Sequence, residues 1–316
     1  MSVAAHSERG LPGVRAERWM PALAGALALV LVAATVEVVL DGAAGPSPLI
    51  PKSPHIASWL TTPFGGGAGL GERLGYRVFL IALLACTCAY TGLVALAQRG
   101  SGARAAEHRQ RVPALSKRSA IALVAALQLI VFAGPILLST DVFSYIAYAR
   151  MGVEHGINPY LHGPVAIVGD PVFKYVGQDW IHVATAYGPL YTLLSYPLAP
   201  LGVVGALWAM KLEALLASAG TLALIWRCAR ARGFDPVKAI VIVGANPLYV
   251  LYGVGGAHND LVMMLAMMVA VSLTLAPAAH RPRSGSRSGS GSARREGAAA
   301  AWVIAGALTK ATVAVL

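Results

Sequence analysis

Charge is the first thing this 316-residue chain is short of: Asp, Glu, Lys and Arg together make up 12% of it. A soluble domain carries about a quarter, and half that share cannot coat a water-soluble particle of this size. Acid is scarcer than base, with 14 Asp and Glu against 25 Lys and Arg and a formal net charge of +11. That excess does not point to nucleic acid, because the basic residues gather in stretches between apolar blocks, the positive-inside pattern of a membrane protein. Cysteine is scarce too. Cys86 and Cys88 sit within an apolar run and Cys228 abuts a basic one, which leaves no disulfide framework or metal site and makes them small buried hydrophobes. Also missing are a Walker loop, a Gly-x-Gly-x-x-Gly, a His-Glu-x-x-His, a Gly-x-Ser-x-Gly and the internal repeats that many secondary transporters carry.

What remains is apolar. Hydrophobic residues are 57% of the chain, the mean hydropathy is +0.64, and the apolar residues come in blocks near the roughly 20 residues that span a bilayer core. The expected fold class is all-α, a polytopic transmembrane helical bundle with a semi-helical external loop. Residues 1–19 are polar and basic, and the block after them is too long for a cleaved signal peptide, so 21–40 reads as a retained first span. A Pro- and Gly-rich external loop is expected over 41–73, and a second span over 74–97. Residues 98–119 carry Arg99, Arg104, Arg109, Arg111, Lys117 and Arg118 against Glu107 alone and form the clearest cytoplasmic loop. The third span, 120–138, leads out to a long external segment, 139–186, helical at first and irregular around Pro159, Pro164 and Pro171. Further apolar blocks follow at 187–203, 204–226, 237–252, 261–276 and 298–316, and a flexible Ser-Gly linker is expected over 281–295.

The basic loop 227–238 falls inside only if one of the first two of those blocks fails to cross. The block 187–203 holds Pro189, Pro197 and Pro200, so a re-entrant or surface-lying segment is expected there. The apolar run ending at Leu316 reads as a span cut short. The chain thus divides into 1–119, a tail with two extra spans, and 120–316, a catalytic module incomplete at its C-terminus.

Two polar clusters stand out. On a helix starting near Asp141, residues at i, i+3, i+4 and i+7 share a face, which brings together Asp141, Ser144, Tyr145 and Tyr148. A carboxylate with hydroxyls and rings at a membrane surface suits binding and deprotonating a sugar hydroxyl. The bland alternative is a helix start, with Thr140 as N-cap and Asp141 favoured by the helix dipole. The second cluster is Asn246-Pro-Leu and then Gly255-Gly256-Ala257-His258-Asn259-Asp260. Glycines entering a helix expose N–H groups that can hold a phosphate, and His258 and Asp260 add a charge contact, a proton relay or a metal ligand; capping by Asn259 or Asp260 competes. Lys310 lies about 18 Å into the last block at 1.5 Å per residue, past the middle of a core of about 30 Å. An ammonium there calls for an anionic partner, such as a lipid phosphate or Asp260, or for snorkelling to the outer surface. Arg150, Lys174 and His182 are lesser candidates for facing a phosphate.

The stretch Asp141-Val-Phe-Ser-Tyr145, then Gly156-Ile-Asn158-Pro-Tyr160, Asp170-Pro171, Trp180 and Ala186-Tyr187-Gly-Pro-Leu190 resembles the actinobacterial polyprenol-phosphomannose-dependent α-1,6-mannosyltransferases. These are GT-C-type glycosyltransferases that extend the mannan core of lipomannan in the cell envelope. Asn246-Pro-Leu248, residues 255–260 and Leu308-Thr-Lys310 continue the pattern in order, so the resemblance covers 120–316. It implies a multi-pass plasma-membrane enzyme with an external site, a polyprenyl-phosphate sugar donor, a lipid-linked glycan acceptor and no nucleic-acid partner. It further implies Asp141 as the base of a single inverting displacement, with Ser144, Tyr145, Tyr148, Asn158, Tyr160, Tyr187, His258, Asn259, Asp260 and Lys310 as substrate-binding candidates. No cofactor is implied, and a divalent metal stays open. The competing classes are a transporter or flippase for a lipid-linked or small polar substrate and a non-enzymatic membrane subunit. A transporter explains the spans but not a concentration of Asp, Tyr, Asn and His on one external face, and the expected truncation keeps the subunit reading open.

Overall fold

The computed structural model describes residues 19–43, 76–99, 114–275 and 289–310. Among them there are helices and no strand. Helix α1 is Met20–Ala43, α2 Tyr76–Arg99, α3 Lys117–Ala133, α4 Asp141–Val153, α5 Pro189–Ser195, α6 Gly202–Ala231, α7 Pro236–Gly244, α8 Asp260–Leu275 and α9 Gly289–Thr309. Three of the described helical stretches are long and apolar enough to cross a membrane, and a fourth is if the bent pair described below counts as one. Residues 41–43, expected to begin a loop, are the last of α1; the rest of that loop, 44–73, most of the loop at 98–119, and residues 281–288 and 311–316 lie outside the described residues.

Long helices pack side by side with small residues at the contacts, as in a bilayer, where van der Waals fit replaces the hydrophobic effect. On α2, Gly92 faces Leu27 of α1 with no room for a methyl group, and on α6 Gly220 does the same against Leu265 of α8. Thr35 lies 3.8 Å from Cys86 across the α1–α2 contact, Tyr90 donates to the carbonyl of Ile242 at 2.7 Å, and Ser218 donates to Gln128 at 2.8 Å. Cys86 is fully buried, as the small-hydrophobe reading requires, but that reading fails for Cys88, which is exposed, and holds only partly for Cys228, which is half-buried.

Four expectations need correction. The third span ends as a helix at Ala133 rather than near 138, because Pro135 disfavours helical geometry in the residue before it. Lys211 of α6 donates its Nζ hydrogen to the freed carbonyl of Gly134, which settles the buried ammonium on a helix C-terminus. The block 237–252 is not one straight span: α7 and a π-helical segment, Leu248–Val254, meet at a bend of 55°. Pro247 has no N–H to continue the ladder, and Asn246 accepts from the Leu248 N–H at 2.9 Å instead. The linker expected to run to 295 is helical from Gly289, since the Ala-rich run behind it favours helix. Thr140, finally, makes no capping bond; Ser139 Oγ accepts from the Asp141 N–H at 3.1 Å.

Residues 189–201 are a seven-residue helix followed by a 3-10 turn, too short to span by themselves, and residues 189–231 together make one stretch long enough to cross. The end of α6 therefore comes back beside the start of α3, where Lys117 sits 5.1 Å over the Trp226 ring. The bundle has one basic end, and the segment 134–188, residues 255–260 and Lys310 gather at the other.

Candidate functional site

Among the described residues two non-glycines adopt left-handed backbone, Leu138 at φ 64° and Ala257 at φ 51°. Such residues cost of order 1–3 kcal/mol and cluster at functional positions. Here each stands just ahead of one polar cluster, three residues before Asp141 and one before His258. Each turn brings its acidic helix start, Asp141 on α4 and Asp260 on α8, to the same point.

At that point His258 is 2% exposed. Its Nδ1 lies 3.7 Å from an Asp141 oxygen and 3.8 Å from an Asp260 oxygen. Neither ring nitrogen has a hydrogen-bond partner among the described residues. The ring stacks on Tyr252, with centroids 4.1 Å apart, and Gly256 leaves it space that a side chain would take. Burial lowers the His258 pKa below its ordinary value, the Asp141 and Asp260 carboxylates oppose that, and the Lys310 ammonium adds to it. Lys310, directly after α9, donates to both Asp260 oxygens at 2.9 and 2.7 Å, so the carboxylate partner expected for this cation is the one it has. The end of α9 is held there by Gly188, whose N–H donates to the Thr309 carbonyl at 3.1 Å. Its missing Cβ would strike the Leu308 carbonyl, the physical reason for glycine in Ala186-Tyr-Gly-Pro-Leu190.

Tyrosines wall one side. Tyr145 donates to Asn259 Oδ1 at 3.2 Å and meets the Tyr187 ring edge-on at 4.6 Å; Tyr148 lies 6.2 Å from Tyr187 between centroids and donates to the Val183 carbonyl at 2.9 Å. Burial raises all three phenols, aided by the Asp141 charge, Tyr148 to about 12, so each stays a neutral donor. Tyr160 reaches the wall from outside, donating to the Tyr187 carbonyl at 3.1 Å. Asn158 accepts from the Tyr160 N–H at 2.9 Å and so shapes its own turn. Ser144 is buried with no hydroxyl partner among the described residues.

The glycine reading needs correction. The N–H groups of Gly255, Gly256, Ala257 and His258 all donate to carbonyls of residues 250–254; the π-helical end consumes them, and they do not form a phosphate cradle. Arg150 is likewise committed, with its Nε 2.9 Å from both Asp170 oxygens and His155 at 2.8 Å from the same carboxylate. Lys174 is exposed and lies 5.1 Å over Tyr175. Sequence reasoning missed Tyr252, which carries no signal except a position six residues before His258. Among the described residues no group of three or more His, Cys, Asp or Glu is arranged to hold a metal ion.

Comparison with known proteins gives a consistent picture. Residues 22–316 match the family model described as alpha-(1->6)-mannopyranosyltransferase, N-terminal domain, which takes in the two N-terminal spans as well as the motif-bearing region. The chain is 34% identical to alpha-(1->6)-mannopyranosyltransferase A of Corynebacterium glutamicum over 168 residues, 51% of this chain and 32% of that protein. It is 30% identical to an alpha-(1->6)-mannopyranosyltransferase of Mycobacterium tuberculosis over 146 residues, 45% of this chain and 24% of that protein. It is 28% identical over 155 residues to alpha-(1->6)-mannopyranosyltransferase A of the same organism. The matched regions thus span a third or less of the length of these relatives. No solved structure matches.

Proposed function

The chain belongs to the alpha-(1->6)-mannopyranosyltransferase family, and from that premise we propose that it is the site-bearing part of a membrane mannosyltransferase. The donor is a polyprenyl-phosphate-linked mannose and the acceptor a lipid-linked mannan extended through an α-1,6 linkage, on the outer face of the plasma membrane. The observation that carries this is the meeting of Asp141, His258, Asp260 and Lys310 at the end of the bundle opposite the basic stretches.

The acceptor hydroxyl attacks the anomeric carbon from the face opposite the phosphate. The carbon–oxygen bond to phosphate breaks, its electron pair leaves with the polyprenyl phosphate, and the configuration inverts. Asp141, part-exposed at the first residue of α4, takes the hydroxyl proton. Negative charge grows on the departing phosphate, where the Lys310 ammonium and an N–H of the neutral His258 ring meet it. Tyr145, Tyr148 and Tyr187 offer ring faces to the sugar, Asn259 orients Tyr145, and Ser144, Asn158 and Tyr160 support that wall. The proposal includes no cofactor.

The test uses membranes holding the full-length gene product, radiolabelled polyprenyl-phosphomannose and a short α-1,6-mannoside. Label entering a longer oligosaccharide is the expected result. No transfer from inserted, intact protein overturns the donor or the sugar, and repeating the assay with other lipid-linked sugars separates the two.

A further inference from the structure

The basic end of the bundle holds a feature that sugar transfer does not use. Between α3, α6 and α7 runs a groove of about 310 Å3, lined by Ile121, Ala125, Gln128, Ala219, Ala223 and Trp226 among others. At about 30 Å3 for a water-sized group it has room for roughly ten heavy atoms. That suits a hydrocarbon chain and is far too narrow for a helix about 10 Å across. It faces outward, since Ile121 is 45% exposed and Ala125, Ala219 and Ala223 are exposed as well. At its closed end Gln128 is 4% exposed; its Oε1 accepts from Ser218 and its Nε2 has no partner among the described residues.

Cations ring the other end. Lys117 and Arg118 stand one turn before Ile121 on α3, and Arg230 one turn beyond Trp226 on α6, spacings that share the groove's face. Lys117 is already drawn over the Trp226 ring at 5.1 Å. All three are exposed, and the neighbouring carboxylate, Asp235, is taken up in capping α7 through the N–H groups of Val237 and Lys238. Basic pockets between membrane helices on the positive side bind anionic lipid head groups. We propose that this groove is a binding site for an anionic phospholipid, one acyl chain lying along α3 and α6 and the phosphate held by Lys117, Arg118 and Arg230. Because it lies at the opposite end of the bundle from His258, it does not depend on the transferase reading.

Trp226 is a built-in reporter. The five other tryptophans of this chain, Trp19, Trp59, Trp180, Trp208 and Trp302, and every tryptophan of the full-length protein outside it are replaced by Phe. The protein is then reconstituted in phosphatidylcholine bilayers with rising fractions of brominated phosphatidylglycerol or brominated phosphatidylcholine. Each surface cation contributes roughly a fivefold preference for anionic lipid, so half-quenching by the anionic lipid is expected at a mole fraction at least fivefold lower. Lys117→Gln with Arg230→Gln erases the difference, whereas Arg232→Gln with Arg294→Gln, which remove the same charge elsewhere, leave it. Equal quenching by both lipids in the parent protein means annular lipid only and overturns the site. Loss of preference in the control pair assigns it to the general surface field and overturns it as well. No quenching by either lipid means that protein covers the groove, a second copy or a further span, and equally sinks the proposal.

Discussion

Two charged clusters flank α4, and they differ most in how far their polar atoms are paired. Both contain aspartate, histidine and a long cation. Around Asp170 both carboxylate oxygens are used: Arg150 Nε reaches both at 2.9 Å, its Nη2 one of them at 2.9 Å, His155 Nε2 the same oxygen at 2.8 Å and the Val172 N–H the other at 3.0 Å. Around His258 the carboxylates stop at 3.7 and 3.8 Å, beyond hydrogen-bonding reach, and the ring nitrogens are left without partners. A saturated buried network holds a chain in place, here the turn after α4 and the segment 163–176. An unsaturated one keeps binding capacity in hand at a cost in stability. The second is where a substrate has something to gain.

The largest effects come from breaking each cluster at its aspartate, with opposite outcomes. Asp141→Asn keeps the size and removes the base, so transfer in the full-length protein should fall at least about 100-fold, with the thermal midpoint in detergent unchanged. Asp170→Ala should do the reverse, leaving the half-buried Arg150 without its carboxylate and costing about 1–3 kcal/mol of stability, read as a lower midpoint and early proteolysis within 155–176. Unfolding of the Asp141 variant, or full stability of the Asp170 variant, breaks the distinction.

Much of this layout is legible in the residues. Lys310 announces itself as a cation too deep in an apolar run, and Asp260 is one of few acids within reach. Asp141 is marked by following a span directly. The prolines at 189, 197 and 200 mark where the block containing them breaks into a short helix and a 3-10 turn. The rest is out of reach for physical reasons. Nothing local distinguishes Arg150, bound to a carboxylate 20 residues on, from an arginine free to meet phosphate; that depends on how 155–170 folds back. The glycines at 255 and 256 look like an anion cradle until the π-helical turn before them claims their N–H groups. The left-handed backbone falls not on either glycine but on Ala257, a strain that tertiary packing imposes and composition does not reveal.

Acid sharpens the comparison at a smaller scale. Burial alone would raise the Asp170 pKa, but hydrogen bonds from Arg150, His155 and the Val172 N–H bring it down to about 2. A carboxyl depressed on folding contributes stability that is complete above its unfolded value, near 4, and is lost as pH falls toward 2. The shift is worth roughly 2 kcal/mol. The midpoint of the wild-type protein should drop between pH 4 and 2 by more than that of Asp170→Asn, which has no carboxyl left to protonate. Parallel acid curves for the two proteins show that the network contributes nothing to stability.

The smallest effect decides a residue that stands between the clusters. Tyr148 is on α4, two turns beyond Asp141 and half a turn before Arg150, and its ring belongs to the wall beside Tyr187. Its hydroxyl, though, is already spent on the Val183 carbonyl at 2.9 Å, and burial with the Asp141 charge holds it neutral, with a pKa of about 12. By the criterion of saturation the hydroxyl is structural and only the ring faces the sugar. Tyr148→Phe keeps the ring and leaves one carbonyl unpaired, so stability should fall by about 1 kcal/mol while kcat/KM stays within a factor of a few. A drop beyond tenfold at unchanged stability places the hydroxyl on the substrate, and a used hydrogen bond then no longer separates scaffold from site in this fold.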